Sequence, residues 1–412
     1  MAISHYKMRK SGMSVSILYH GFGLRNVVLQ KTEFIRGKIY FSIWLKQKIC
    51  SHCQSHRTIQ KGVKVRRLKT TPIGVKPVWL KLHLRRLLCS DCGRIAQESY
   101  HPIADPKKQY TRHLARFVTS LKGLMTVEDI ARLVGLHWNT VWEILSKQYR
   151  KQMPTAKQLR TLRRIGIDEL AIAKGQSYMT IVVDHDSGQV VHAALGRKSD
   201  SVVGFLKRLR RLKAPIEVVT TDMWPAYISA IVENLPDSRI VFDKFHIIQN
   251  LNKAIDEVRR NEYRAMEKTS AKILKGSRYL LLKHPQRLSD NAREQLQQIL
   301  AINTPLSICY TLKEQLHEFW NYTSAKEASR FLKRWCEMAF KSGLGPMQKF
   351  ANTLLSHRSA ITNYFDHPLT NGKVEGLINK IKVLKRQAYG YRNWNHFILR
   401  LFSIHQTRYS LL

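Results

Sequence analysis

Acidic side chains are what this 412-residue chain has least of: 29 Asp plus Glu stand against 70 Lys plus Arg, a formal charge of +41. Such a field repels itself unless a polyanion is present. Nucleic acid is the expected partner, because each phosphate neutralised by Lys or Arg releases counterions. Long apolar runs are also missing. No stretch approaches the ~18 uncharged apolar residues of a membrane span, and MAISHYKMRKSGM at the start has no apolar signal-peptide core. The expectation is a cytoplasmic, nucleoid-associated, bacterial-type protein with no membrane partner. Cysteines number only six. Cys309 and Cys336 stand alone and read as small buried apolar residues. The other four fall in two CxxC pairs, which in a reducing compartment point to metal rather than disulfides.

Residues 1–110 are the most basic stretch, with 22 Lys plus Arg against 4 Asp plus Glu. Two alternating runs, KIYFSIWLK and PVWLKLHLRRLLC, read as strands. Cys50 and Cys53 follow the first, while Cys89 and Cys92 close the second. Two tight turns facing each other with two thiolates each would make a closed tetrahedral Zn²⁺ site, a zinc ribbon with one structural zinc. The 35 residues between the pairs must then form strands or a loop of their own. Residues 111–149 read as three short helices, with Thr126 capping TVEDIARLVG and Gly135 permitting the turn into HWNTVWEILSKQY. In a helix-turn-helix the second helix enters the major groove by its first residues, here His137, Trp138, Asn139 and Thr140. Residues 150–164 look like a basic linker.

From Ile165 the texture changes to IGIDEL, QSYMTIVVD, QVVHAALG, IEVVTTD and RIVFDKFHI, five strand-like runs, with DHDSG as a hairpin turn and SDSVVGFLKRLRRL as a helix capped near Ser199. That order is the ribonuclease H-like arrangement, a mixed sheet with helices on both faces. After His246 the pattern is helical for about 115 residues, including a capping box at Ser324 and Glu327. The fold class expected is therefore multidomain α+β. It comprises a zinc ribbon (1–110), a helix-turn-helix (111–149), a linker (150–164), the first part of an α/β catalytic domain (165–250), a large helical insertion (251–365), and the last part of that domain with a basic tail (366–412).

Three of the scarce acids occupy telling positions. Asp168 lies in a central strand, Asp222 closes another, and Glu375 lies one turn into a helix entered through Asn371-Gly372. Two-metal phosphoryl transfer needs carboxylates from separate elements meeting beside a phosphodiester, and Mg²⁺ or Mn²⁺ suits such a set. Asp184 and Asp186 read as hairpin-turn residues, and Glu169 points to the face opposite Asp168. Asp243 and His246 are possible auxiliary ligands or partners.

Four segments carry more than composition. TTDMWPAY, FDKFHIIQNLN, TNGKVEGLINKIKVLKRQ and AYGYRNWNHFILRL closely resemble the DDE transposases of the ISL-three insertion-sequence family. The resemblance spans most of the chain and implies a catalytic triad at Asp168, Asp222 and Glu375 with Mg²⁺ (or Mn²⁺). It also implies binding of the double-stranded ends of a mobile element, strand cleavage and transfer into target DNA, and a homodimer or higher assembly on DNA. The family usually has Ser where this chain has Thr370, a change that keeps the hydroxyl. Beyond Glu375, Lys380, Lys385, Arg386, Tyr391 and Arg392 interleave cations and aromatics as a DNA grip would. Two other readings remain open on sequence: a DNA-binding regulator with an inactive nuclease fold, and a metal-dependent nuclease without strand transfer.

Overall fold

A computed structural model describes residues 17–173, 177–266, 274–370 and 372–406. The chain forms two compact units, dividing at Gln152 and Met153, with the short segment Gln387–Gly390 grouping with the first.

The first unit is built on a five-stranded sheet rather than two strands: β1 Val27–Ile35, β2 Lys38–Leu45, β3 Thr58–Ile73, β4 Lys76–Cys89 and β5 Ile95–Gln97. The order is β1-β2-β4-β3, with β5 also on β4. β2 and β4 run parallel, Ile39 facing Val78, and each is the second arm of an antiparallel hairpin. Strict alternation puts Val78, Leu80, Leu82 and Leu84 on one face of β4, all fully buried with Ile39, Phe41 and Ile43 of β2. Of the three further strands, β1 is exposed over most of its length with only Lys31 as a cation, and β3 carries Lys and Arg along its exposed first part before burying Leu68 to Thr71. Ladder pairing to β2 and β4 holds β1 and the first part of β3, not burial of their own side chains.

Three helices complete the unit: α1 Arg112–Ser120, α2 Val127–Val134 and α3 Trp138–Arg150. Thr126 Oγ accepts from the Asp129 amide, capping α2, and Gly135 ends it in the left-handed region at φ 60. Val141 and Leu145 of α3 are buried against that pair. Residues 150–164 hold one ordered turn, α4 Ala156–Leu159, with a complete capping box from Thr155 and Gln158.

The second unit contains a mixed sheet of β6 Arg164–Ala173, β7 Ser177–Asp184, β8 Val190–Leu195, β9 Val218–Thr221 and β10 Arg239–Phe242, in the order β10-β9-β6-β7-β8. The first three strands form an antiparallel meander, while β9 and β10 run parallel to β6. Odd positions of β6, Ile165 and Ile167, pack under α5 Asp200–Arg211 and α6 Pro225–Asn234. Leu170 and Ile172, at even positions, pack under α14 Gly372–Gln387 and α15 Trp394–Leu401. Between β10 and α14 comes a helical body with its own core around Leu251, Leu312, Trp335 and Leu354. It is made of α7 Lys244–Ala265, α8 Arg278–Leu282, α9 Asp290–Ile302, α10 Thr304–Glu318, α11 Ala325–Lys341, α12 Gly345–Ser356 and α13 Arg358–Thr362.

Three local expectations are corrected. The fifth strand stops at Phe242 instead of running through His246, because Asp243 accepts from the Phe245 amide and starts α7. Ser324 and Ser199 sit at helix starts, but neither side chain makes a capping hydrogen bond. The Asn371 cap lies outside the described residues, and the helix carrying Glu375 is described from Gly372.

Candidate metal centres and nucleic-acid interface

Two knuckles bring the thiols together. In one, the Gln54 amide donates to the Cys50 carbonyl and the Cys50 amide to the Ser55 carbonyl; in the other, Gly93 donates to Cys89 and Cys89 to Arg94. Both turns place the residue after the second cysteine in the left-handed region, Gln54 at φ 63 and Gly93 at φ 66. Ser55 and Arg57 both reach Asp91 and tie one knuckle to the other. All four Sγ atoms lie within 4.8 Å of one another, with Cys50–Cys92 at 3.8 Å and Cys53–Cys89 at 3.4 Å. Tetrahedral zinc with Zn–S near 2.3 Å needs sulfurs roughly 3.8 Å apart, so the donor set and its spacing fit structural zinc. The Cys92 amide beside Cys89 draws that thiol down to about 6, whereas, against the Ser55 amide, the sulfurs of Cys89, Cys92 and Cys50 together with burial push Cys53 up to about 12, so four crowded thiolates call for a cation between them.

The acids are placed by sheet register and helix seating, and among the described residues only the thiols, not the acids, close to within ligand distance of one another. β6 pairs with β9 through Gly166 and Thr220. Carried two residues on, the same register sets Asp168 level with Asp222. Phe242 of β10 pairs with Thr221, and the Asp243 amide donates to the Thr221 carbonyl at 3.3 Å, so Asp243 comes next in the row. Asp222 and Asp243 thus follow the carboxyl ends of β9 and β10, level with Asp168 in the middle of β6, at the side of the sheet where open α/β folds hold ligands. Asp168 shares its face of β6 with Leu170, and that face carries α14, whose first turn bears Glu375. His246 lies in the first turn of α7, directly beyond Asp243.

Helix α14 is seated by contacts on either side of Glu375. Lys373 donates to the His185 carbonyl at 3.1 Å, and Lys385 donates to the carbonyls of Ala171 and Ile172 at 3.2 and 3.0 Å. Between them Val374 is fully buried against Gly166. A Cβ added at Gly166 would lie 2.8 Å from Val374 Cγ2, and 2.9 Å from both His185 Nε2 and Thr220 Oγ1. Gly166 is therefore glycine for space: only without a side chain can the helix come this close to the strand.

Packing raises the acids' proton affinity. Burial pushes Asp168 up to about 6; the amide of Glu169 and the charge of His246 oppose this, while the charges of Asp222 and Asp243 add to it. Asp222 and Asp243 are raised by the same desolvation, and Glu375 adds its charge against Asp243. Glu169, although on the opposite face, is raised to about 7 by burial and by the charge of Asp222. Sequence reasoning set it aside on strand alternation alone. The coupling shows mutual electrostatic reach, the condition under which a divalent cation offsets crowded carboxylates.

The other residues expected at the site are placed as follows. His137 caps α3, its Nδ1 accepting from the Asn139 amide. Trp138 stacks on Trp142 with centroids 5.9 Å apart, Asn139 is exposed, and Thr140 is half-buried. Lys380 is half-buried, while Arg386 and Arg392 are exposed. Tyr391 packs on Phe397 at 4.6 Å and accepts from Arg400 at 2.7 Å. Trp224, after Asp222, donates to the Arg197 carbonyl at 3.1 Å, and the Arg197 guanidinium lies between the Trp224 and Tyr178 rings. Asp184 accepts from the amides of Asp186 and Ser187 within its hairpin. No described helix is long and apolar enough to cross a membrane.

Three family models match in chain order. They are described as a zinc-finger of transposase IS204/IS1001/IS1096/IS1165 over residues 46–92, a helix-turn-helix domain of transposase family ISL3 over 101–149, and a transposase, the ISL3 DDE model, over 165–401. The transposase for insertion sequence element IS1001 of Bordetella parapertussis is 30% identical over 387 residues, covering 93% of this chain and 95% of the relative. The transposase for insertion sequence element IS1557 of Mycobacterium tuberculosis is 27% identical over 373 residues, covering 84% and 82%. A solved Drosophila P element transposase strand transfer complex aligns at a TM-score of 0.36 and 13% identity over 71% of this chain and 91% of that one. With zinc ribbon, helix-turn-helix and transposase segments in that order, the chain belongs to the ISL3 family of DDE transposases.

Proposed function

We propose that the chain binds the ends of its own mobile element, cuts them in a site built on Asp168, Asp222 and Glu375, and joins the freed 3′ ends to target DNA. The observation that carries this reading is the row of Asp168 in mid-β6 with Asp222 and Asp243 just beyond β9 and β10, and Glu375 in the first turn of α14, which packs on the same face of β6. The sheet order supports a ribonuclease H-like core, with α7–α13 as a helical insertion between its fifth strand and its last helix. We keep the six segments as our domain reading, with the helical insertion taken from the start of α7 at Lys244 rather than from residue 251.

Asp168, Asp222 and Glu375 would hold Mg²⁺ or Mn²⁺, with Asp243 and His246 beside them. Bound there, divalent ions supply charge neutralisation at the scissile phosphate and at the attacking and departing oxygens. The protein's own part is to fix the carboxylates on rigid elements, where burial and mutual repulsion raise their proton affinity and a bound cation would favour the ionised form. Gly166 and Val374 set the depth of α14, while Lys373 and Lys385 fix its ends. Lys380, Arg386 and Arg392 are our candidates for contacts to phosphate. We assign Lys385 and Tyr391 first to holding α14 and α15, given the bonds they make there. The α3 start, His137 to Thr140, is our candidate for reading the element end. Assembly of two ends calls for a dimer or higher on DNA.

The test is Mg²⁺-dependent nicking and joining of a duplex carrying the sequences that flank the coding region. Wild type is compared with Asp168→Asn and Glu375→Gln. Cleavage and joining by wild type, with binding alone by the variants, supports the proposal. Binding without cleavage by wild type in Mg²⁺ and Mn²⁺ supports a regulator, and cleavage without joining supports a simple nuclease.

A further inference from the structure

Two hairpin tips stand side by side at the end of the first sheet opposite the thiols. β1 turns into β2 through Arg36 and Gly37, both in the left-handed region at φ 47 and 74. β3 turns into β4 through Gly74 and Val75, with Gly74 at φ 55. Both are two-residue turns, closed by the pairs Ile35–Lys38 and Ile73–Lys76. Because β2 and β4 are parallel with Ile39 facing Val78, the turns before them lie at one level.

Turn residues are ordinarily polar or small; Arg36, Gly37 and Gly74 keep to this, but Val75 does not, and the strand ends beside the turns are apolar and open. Val75 is 96% exposed, Phe34 74%, Ile35 44% and Ile73 41%. Exposed Arg36, Lys38 and Lys76 surround them. The one acid nearby, Glu33, is held by Lys81 at 2.6 Å and Lys31 at 3.1 Å, so it does not offset those cations.

The tips also neighbour the reading helix. Lys69, four residues before Ile73 on β3, donates Nζ to the Gly135 carbonyl at 2.5 Å, at the turn between α2 and α3. Its backbone pairs with Gln109 and Thr111. Four strand residues span roughly 13 Å, so tip and helix-turn-helix are held within one DNA-contacting distance.

We infer that the paired tips are a second DNA-contacting element beside α3: Arg36, Lys38 and Lys76 bind phosphates while Phe34 and Val75 wedge against a base step. Apolar wedges flanked by cations are how proteins unstack and bend duplex DNA. A second copy of the chain is the other occupant an apolar tip could take, but it brings the same +41 to a rim of unpaired cations, and the charge favours the polyanion.

This inference rests on the reading of the chain as a DNA-end binder, and its test separates the two. The full-length, zinc-loaded chain is titrated against a fluorescent duplex from the flanking sequence and a random duplex of equal length, at several salt concentrations. Phe34→Ser/Val75→Ser, made at exposed positions, keeps its zinc and its circular dichroism. It is expected to bind about tenfold more weakly, with the salt dependence unchanged, and to bend the duplex less by end-to-end energy transfer. Arg36→Ala/Lys38→Ala/Lys76→Ala is expected to lower the log–log salt slope by about one per cation removed. Wild-type affinity and bending in the serine variant overturn the inference. So does a serine variant that binds DNA normally but loses self-association in sedimentation, which makes the tips an interface between copies. A wild-type chain that binds neither duplex overturns the function reading together with this one.

Discussion

The thiol cluster, which gathers four zinc ligands, and the acid row, which we propose as a second metal site, are built in opposite ways. Cys50 with Cys53 and Cys89 with Cys92 are positioned by local turns, each closed by its own backbone hydrogen bonds. The spacing that zinc needs is therefore present within two short loops. Asp168, Asp222 and Glu375 come from a strand, a strand end and a helix separated by up to about two hundred residues, and only sheet register and helix seating bring them to one face. A site built from turns fails when a ligand is removed. A site built from tertiary packing fails also when something that touches no metal is changed.

The largest effect should follow Asp222→Asn, which removes a carboxylate while leaving the shape. Cleavage should fall on the order of a thousandfold, with zinc content and end binding unchanged. Full activity in this variant would remove Asp222 from the site. Next, Cys89→Ala should take zinc from one per chain to none by mass spectrometry. Because structural zinc contributes folding free energy directly, end binding should be lost with it; binding that survives would make the ribbon dispensable.

Gly166→Ala sharpens the contrast, since it alters no ligand. Its Cβ must displace Val374, His185 or Thr220, and overpacking of this kind costs about 1–3 kcal/mol. Cleavage should drop by more than binding does, because Glu375 follows Val374. An unchanged melting temperature and rate would show that α14 does not need this close approach.

The acid row also predicts a pH dependence. Asp168 is raised to about 6 and Glu169 to about 7, above ordinary carboxyl values near 4. Between those limits the folded chain binds more protons than the unfolded one. Without Mg²⁺, stability should therefore fall as pH rises from about 4 to 7. Mg²⁺ needs the ionised form, so its affinity should rise over the same range. Asp168→Asn should flatten both curves, and an unaltered slope in denaturant titrations would contradict the assignment. The smallest effect is expected from Lys385→Met, which gives up two hydrogen bonds to backbone carbonyls at a cost of about 1 kcal/mol.

How much of this could be read from sequence followed the same division. The cysteine pairs are legible because spacing alone defines a knuckle. β2 and β4 are legible because their alternation is clean, whereas β1 has little buried face to alternate and the first part of β3 is broken up by Lys and Arg at positions that pairing holds in place. Asp168, Asp222 and Glu375 stand out because acids are scarce and these three lie in a strand, at a strand end and in the first turn of a helix. Asp243 is legible as an auxiliary candidate, but its place at a helix start is not, because RIVFDKFHI reads as one strand while Asp followed by Lys-Phe-His caps a helix. The proximity of Glu169 to the row arises from burial that alternation does not report. Gly166 carried no signal at all, since what its missing Cβ makes room for lies more than two hundred residues away at Val374.

The most direct measurement of the central claim is a count of Mn²⁺ bound to the zinc-loaded chain on element-end DNA, by electron paramagnetic resonance. Wild type should hold two ions, as expected for two-metal phosphoryl transfer, and Asp168→Asn or Asp222→Asn fewer, with DNA affinity unchanged. Equal Mn²⁺ stoichiometry in wild type and both variants would contradict the account.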